Sequence, residues 1–377
     1  MTSITWNEVR ARRLARSFVT ERAGPEGVVE VAHSTCGIHA QVQAAAELSL
    51  NARVDGIVQQ DVRDALWRDR TLVKAWTVRG TLHLHPAAEL PLWYAARNAI
   101  DTGNREGLPP WRDPAGVVHP ALSPDEVDAV AAAVRAALDG RCLLREELVE
   151  EVAGQTGPAA RQRLRSGFAF FLSDVCQGPP QGNKVRFARP DQWIEGWQEI
   201  DSDEALREVC RSYLHTYGPA RPNEFREWFG SATFKTADAR TLFESLGDLE
   251  EVDVEGHHAC VAAGDTHFPG PVASVRLLPE YDAYIMGFRE RGYLVPAEAR
   301  AQVAAHGRGK YEGPAGVRFL LIDGIASGLW ERKKKAKQVE LRVTPMRPLH
   351  KGERTALADE AERIGAFLGL EPVLTVV

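Results

Sequence analysis

The sequence predicts an α+β fold: three tandem units, each of helices followed by a hairpin, supported by a C-terminal β-rich, barrel-like region. Three observations carry this. Apolar residues recur at helical spacing in blocks that give way to strand-like segments, and the order repeats three times before residue 271. After residue 271 the pattern is mainly strand-like. The chain has 377 residues, 44% of them hydrophobic, enough for several cores.

Residues 6–19 place Val9, Leu14, Phe18 and Val19 at helical spacing, and Gly24-Pro25 stops that helix. Residues 28–52 read as two helices broken near 34–37, residues 61–68 as a short helix, and 72–84 as strand around Arg79-Gly80. Helices followed by a hairpin is the order of a winged helix. In the second unit Ser123 is an N-cap with Glu126 three residues on, a capping box, for a helix ending near Asp139-Gly140. Helices over 144–152 and 158–176 and a strand over 184–188 follow. The third unit has helices over 204–215, 223–229 and 237–246 and a hairpin over 249–262. Strands over 274–278, 316–322, 326–330 and 338–345, a turn at Asp323-Gly324 and a helix over 352–368 complete the chain. The expected units are 1–115, 116–198, 199–270 and 271–377.

Five cysteines (Cys36, Cys142, Cys176, Cys210, Cys260) are far apart and odd in number, which argues against a disulfide framework and against zinc pairs. No apolar run is long enough for a membrane span and no secretory stretch opens the chain, so a cytoplasmic, nucleoid-associated monomer is expected, off the membrane. The net charge is −6, yet residues 276–351 hold 15 Lys and Arg against 8 Asp and Glu. An acidic body with one basic region suits a protein that meets a polyanion on one face.

The sequence lacks a G-x-S-x-G elbow, a G-x-x-x-x-G-K-[ST] phosphate loop and an H-E-x-x-H helix, which weakens the hydrolase, NTPase and metalloprotease readings. Gln41-Val42-Gln43 stands beside the apolar run Ala44-Ala45-Ala46. Positions i and i+2 lie about 200° apart on a regular helix, so the two carboxamides can act together only where the helix is not yet regular. Two surface glutamines on a helix are the plain alternative.

Residues 73–84, V-K-A-W-T-V-R-G-T-L-H-L, residues 277–291, L-L-P-E-Y-D-A-Y-I-M-G-F-R-E-R, and L-I-D-G at 321–324 change that weighting. Together they resemble, in order and across nearly the whole chain, the bacterial winged-helix DNA-binding family that includes the DNA glycosylases AlkZ and YcaQ. Those glycosylases remove alkylated bases and unhook interstrand crosslinks. The family's catalytic signature is a glutamine, an apolar residue, then Gln in the AlkZ branch or Asp in the YcaQ branch. Gln41, Val42 and Gln43 match the AlkZ branch, which is associated with self-resistance in producers of DNA-alkylating natural products. The resemblance implies a monofunctional glycosylase without metal or other cofactor, acting on double-stranded DNA that carries alkylated or crosslinked guanine. A non-catalytic winged-helix regulator or drug-sequestering protein is the alternative.

The chemistry accords with a carboxamide pair. Hydrolysis of the N-glycosidic bond passes through an oxocarbenium-like sugar, and guanine alkylated at N7 is already cationic, so the lesion supplies most of its own activation. A carboxamide is no strong base, but it can orient water and direct its carbonyl dipole at the sugar cation.

Candidate DNA contacts follow from charge and position. Arg79, Thr81 and His83 alternate on one strand face, where a wing reaches phosphate or the lesion; a hydrogen-bonded strand face is the alternative. His83 and His85 have a ligand-like i, i+2 spacing without a third partner, so no metal is expected. Arg161, Arg163 and Arg165 fall early in the third helix of the second unit, the recognition position. Arg332, Lys333, Lys334, Lys335 and Lys337 form a basic run at a hairpin tip, suited to a phosphate backbone or to protecting a sheet edge. Lys310 lies in a glycine-loosened stretch, 306–316, expected to be flexible.

Overall fold

The computed structural model describes residues 2–100, 107–113, 115–165, 175–231, 233–287, 289–306 and 316–377. Strand β1 (Thr2–Ile4) and helix α1 (Trp6–Arg16) open the chain, α1 behind a capping box between Thr5 and Glu8. The first unit runs α2 (Val28–Ser34), β2 (Ile38–His39), α3 (Gln43–Asn51), α4 (Gln59–Trp67), β3 (Leu72–Trp76), β4 (Leu82–Pro86) and α5 (Leu90–Ile100). A two-stranded ribbon, β5 (Trp111–Arg112) with β6 (Val118–His119), leads to the second unit. There α6 (Pro124–Ala137) starts on the expected Ser123–Glu126 box and precedes β7 (Leu143–Leu144), α7 (Arg145–Thr156), α8 (Pro158–Arg165), β8 (Cys176–Gln181), β9 (Lys184–Ala188) and α9 (Pro190–Trp193). The third unit contains α10 (Ser202–Tyr217), α11 (Pro222–Phe229), α12 (Thr236–Leu246), β10 (Leu249–Val254) and β11 (His257–Ala262).

One pairing recurs in all three units and defines them as winged helices. A short strand after the first helix pairs antiparallel with the second wing strand: β2 with β4, β7 with β9, and in the third unit the single bridge Ala220–Cys260. The wings of the first two units join through Lys74–Gln177 into one six-stranded sheet of order β2-β4-β3-β8-β9-β7.

The last region holds β12 (Val275–Leu278), α13 (Ala283–Gly287), α14 (Arg300–His306), β13 (Phe319–Ile322), β14 (Ile325–Lys334), β15 (Gln338–Pro345), α15 (Lys351–Leu368) and β16 (Glu371–Val376). Its five strands form a sheet in chain order, curled into a half-barrel. One face packs with α15 against the first unit, joining Leu341 and Ile364 to Val31, Leu48 and Leu50. The other packs Phe319, Leu321 and Leu329 against Val9 and Leu14 of α1 and Val252 and Val261 of the third wing. The sheet therefore wedges between units one and three.

Four expectations change. The N-terminal strand and helix pack with the third unit, because β1 pairs in parallel with β10, so 1–115 is not one unit. The helix expected over 158–176 does not reach Cys176, which begins β8. α5 is an addition: one face is buried against α10 and another against β3, β8 and β9, and such all-round burial blurs the helical stripe. β16 is another, an edge strand beside β15. The expected flexible stretch, Lys310 included, falls largely on 307–315, outside the described residues. Among the described residues, the five cysteines are free thiols and no helix is long and apolar enough to cross a membrane.

Candidate active site

Gln41 and Gln43 lie where the sequence argument required, at the irregular junction between β2 and α3. Ala40 N donates to Leu82 O, Gln41 follows off the end of the strand, Val42 is the N-cap, and Gln43 is the first residue of the helix. Gln41 is exposed, and its Oε1 accepts from Leu82 N at 3.4 Å, a long bond that fixes it weakly. Gln43 is half-buried and has a charged partner at each end, Lys74 by a bond of ordinary length and Glu47 by one as long as that of Gln41. Gln43 Oε1 accepts from Lys74 Nζ at 2.9 Å, and its Nε2 donates to Glu47 Oε1 at 3.4 Å.

Lys74 and Glu47 are both buried. Glu47, one turn along α3, accepts from Gln59 Nε2 at 2.5 Å and Arg63 Nε at 3.1 Å, both on α4. Burial pushes the Lys74 ammonium down to about 8, with the Glu47 charge acting in the opposite direction. A charged residue in the run Leu72-Val73-Lys74-Ala75-Trp76 was the signal for this partner, and sequence reasoning did not use it.

Three imidazoles lie nearby. His39 pairs with His83 across β2 and β4, with ring centroids 5.2 Å apart, and His83 is 6.0 Å from His85. His83 Nδ1 is 2.9 Å from the Thr81 carbonyl, which can only accept, so the proton sits on Nδ1. Gly37, in the left-handed region at φ +92°, passes directly over the His85 ring, where a Cβ would collide. Burial holds His39 at about 4 and His85 at about 3, and pushes His83 well below the ordinary histidine range. All three are neutral near pH 7.

The segment 279–282 ties these parts together. Glu280 accepts twice from Arg318, at 2.6 and 2.9 Å, and the Tyr281 ring lies 5.0 Å from His39. Asp282 accepts from Arg53 at 2.7 and 2.6 Å and from Ser49 of α3 at 2.7 Å, all buried. The motif read as L-L-P-E-Y-D thus fastens α3 to the half-barrel, a role its residue types did not disclose.

The expected DNA contacts divide. Arg79, at φ +56°, donates to Trp228 O at 2.5 Å and so joins the first unit to the third; burial lowers its guanidinium to about 10. Thr81 Oγ1 donates to Val78 O and His83 is buried; of the three only His83 stands on a strand, because Arg79 lies in the turn Val78–Gly80 and Thr81 follows it, so the expected strand face does not form and these groups are mostly spent on internal hydrogen bonds. Arg163 is buried, with its guanidinium donating to the carbonyls of Pro120 and Pro109. Arg161 pairs with Glu150 at 2.7 Å near the surface; the side chain of Arg165 lies outside the described residues.

The basic run does form a hairpin tip: Lys334 pairs with Val339, and Lys335 N donates to Gln338 O. Lys333, Lys334, Lys335 and Lys337 are exposed, Lys335 in an ion pair with Glu340. Arg332 at the root is half-buried, its guanidinium lowered by burial and by Arg318 and raised by Glu280 and Glu47. The hairpin thus springs from beside the Gln43 network. His83 and His85 spend Nδ1 and Nε2 on Thr81 and Thr77. Glu224 and His257 of the third unit and Glu290 of the last region have ligand-like spacing, but Arg221 already bridges the two carboxylates at 3.5 and 2.7 Å.

Comparison with known proteins agrees with this architecture over its whole length. The model of the AlkZ-like DNA glycosylase family matches residues 32–367. The chain is 31% identical to an interstrand DNA cross-link repair glycosylase of Streptomyces sahachiroi, over 97% of each chain. The solved structure of Streptomyces sahachiroi DNA glycosylase AlkZ superposes with a TM-score of 0.82 at 28% identity, covering 100% of both chains. By the family model and the relative alike, this chain, with its three winged helices and half-barrel wedge, belongs to the AlkZ-like DNA glycosylase family.

Proposed function

We propose that this glycosylase hydrolyses the N-glycosidic bond of bulky N7-alkylated purines, unhooks interstrand crosslinks at guanine, and uses Gln41 and Gln43 to do so. Self-resistance to a DNA-alkylating natural product is the role that fits such a substrate. The observation that carries the reading is the junction itself. Two carboxamides follow an edge strand and begin a helix, and outside the regular helix their i, i+2 spacing can serve a single reacting centre. The crosslink specificity rests on the relative named for cross-link repair, similar along 97% of the chain.

In this mechanism water attacks C1′ as the C1′–N9 bond breaks, and the bonding electrons neutralise the cationic purine. The Gln43 carbonyl keeps one lone pair beyond its bond to Lys74, and with Gln41 it orients the water and faces the sugar cation. The proton lost by water passes to solvent. Incubation with a duplex bearing a defined N7-guanine crosslink should give separated strands on a denaturing gel. Tight binding with the crosslink intact would favour a sequestering protein instead.

The exposed hairpin lysines hold the phosphate backbone in this reading. Changing Lys333, Lys334, Lys335 and Lys337 to Gln should weaken binding to damaged and intact duplexes alike. The slope of log affinity against log salt should become shallower by about 0.9 for each phosphate that is no longer neutralised. An unchanged slope would assign the run to sheet-edge protection.

A further inference from the structure

The Gln43 carboxamide has a single possible orientation. An ammonium only donates and a carboxylate only accepts, so Lys74 requires the carbonyl end and Glu47 the amide end. A half-turn of the group would set N–H against ammonium and C=O against carboxylate, with both charged partners buried. Neither partner is free to move away. Lys74 stands in β3 where that strand joins the second unit's wing at Gln177, and Glu47 is held from α4 by Gln59 and Arg63. Gln41 has no charged partner: it is exposed, and its one hydrogen bond is to the backbone amide of Leu82.

We infer that Lys74 and Glu47 are positioning residues for the glycosylase reaction: they clamp Gln43 from both ends, so that one carbonyl lone pair and one N–H always face the reacting centre in the same order. The inference rests on the proposed role of Gln43 and adds how that role is enforced. The clamp also makes the two glutamines unequal, with Gln43 the fixed dipole and Gln41 the adaptable one. It explains a buried cation beside a site that stabilises a cation. The N7-alkylpurine enters already positive, so charge migrates rather than accumulates, and Glu47 offsets the Lys74 ammonium.

The test uses the full chain and two readouts. The first is the side-chain amide NMR signal of Gln43, assigned by its loss in Gln43→Ala. Its two protons should be well separated in the parent and should shift with a midpoint near pH 8, where Lys74 loses its proton. The shift should vanish in Lys74→Met, and Lys74→Arg, which stays charged, should remove the midpoint but keep the separation. The second is the single-turnover rate on an N7-alkylguanine duplex. Lys74→Met and Glu47→Gln should each lower the saturating rate about 10-fold, less than direct loss of an oriented group, with half-saturating concentration unchanged. The parental rate should decline above pH 8. A Gln43 signal indifferent to pH and to Lys74→Met, or full parental rates in both variants, would overturn the clamp. Should the NMR behaviour hold while the parent releases no base, the clamp stands and the glycosylase reading of Gln43 falls.

Discussion

Gln41→Ala and Gln43→Ala should each slow base release by about 10–100-fold, with circular dichroism and duplex affinity unchanged. Loss of one oriented donor or acceptor typically costs about 10²–10³ in rate, and a cationic leaving group reduces the demand. Affinity is spared because a neutral side chain contributes little beside the exposed lysines. The two variants should differ. Gln43 is held by two charged partners, so its removal also leaves Lys74 Nζ buried without its acceptor. Gln43→Ala should therefore be the slower and the less stable of the two. Single-turnover rates with urea unfolding controls would separate these effects, and equal, parental rates would make the pair structural.

Acid should destabilise the protein strongly and well before its carboxylates titrate. His39 and His85 are held at about 4 and about 3 by burial, whereas the unfolded chain protonates them near 6.5. Between those values the unfolded state binds more protons, so stability is intact above pH 6.5 and is lost as pH falls toward 4. At about 1.4 kcal/mol per pH unit per group, the two together remove roughly 4–5 kcal/mol by pH 4.5, and His83 adds to it. That is a large share of the 5–15 kcal/mol typical of a folded protein. The urea midpoint should fall sharply between pH 7 and 4.5, and the fall should be smaller in His39→Gln/His85→Gln. A midpoint independent of pH would mean that the imidazoles are not held neutral.

The parts of this architecture that were legible in the sequence are those with local causes. The Ser123–Glu126 box starts α6, strand 184–188 has the expected bounds, and the lysine run lies at a hairpin tip. The Gln-Val-Gln junction was legible because a helix cannot bring i and i+2 together, and the break before α3 supplies the other conformation. The illegible parts depend on distant segments. β1 finds its partner in β10, some 250 residues on, through a parallel pairing that leaves no turn signal. Arg79 and Arg163 look like phosphate ligands by charge, yet each meets carbonyls from far along the chain. Lys74 is illegible for the opposite reason. A lone cation in an apolar strand reads as an interruption until α3 brings Gln43 and Glu47 beside it.

Base release itself tests the account most directly. A duplex with one bulky N7-alkylguanine would be incubated with excess parental protein or with the Gln41→Ala/Gln43→Ala double variant, and free base and abasic sites counted over time. The account predicts that the parent yields base and abasic sites in equal number, and that the double variant binds the duplex as tightly but releases base far more slowly. A parent that binds without releasing base, or a double variant that releases it at the parental rate, would contradict it.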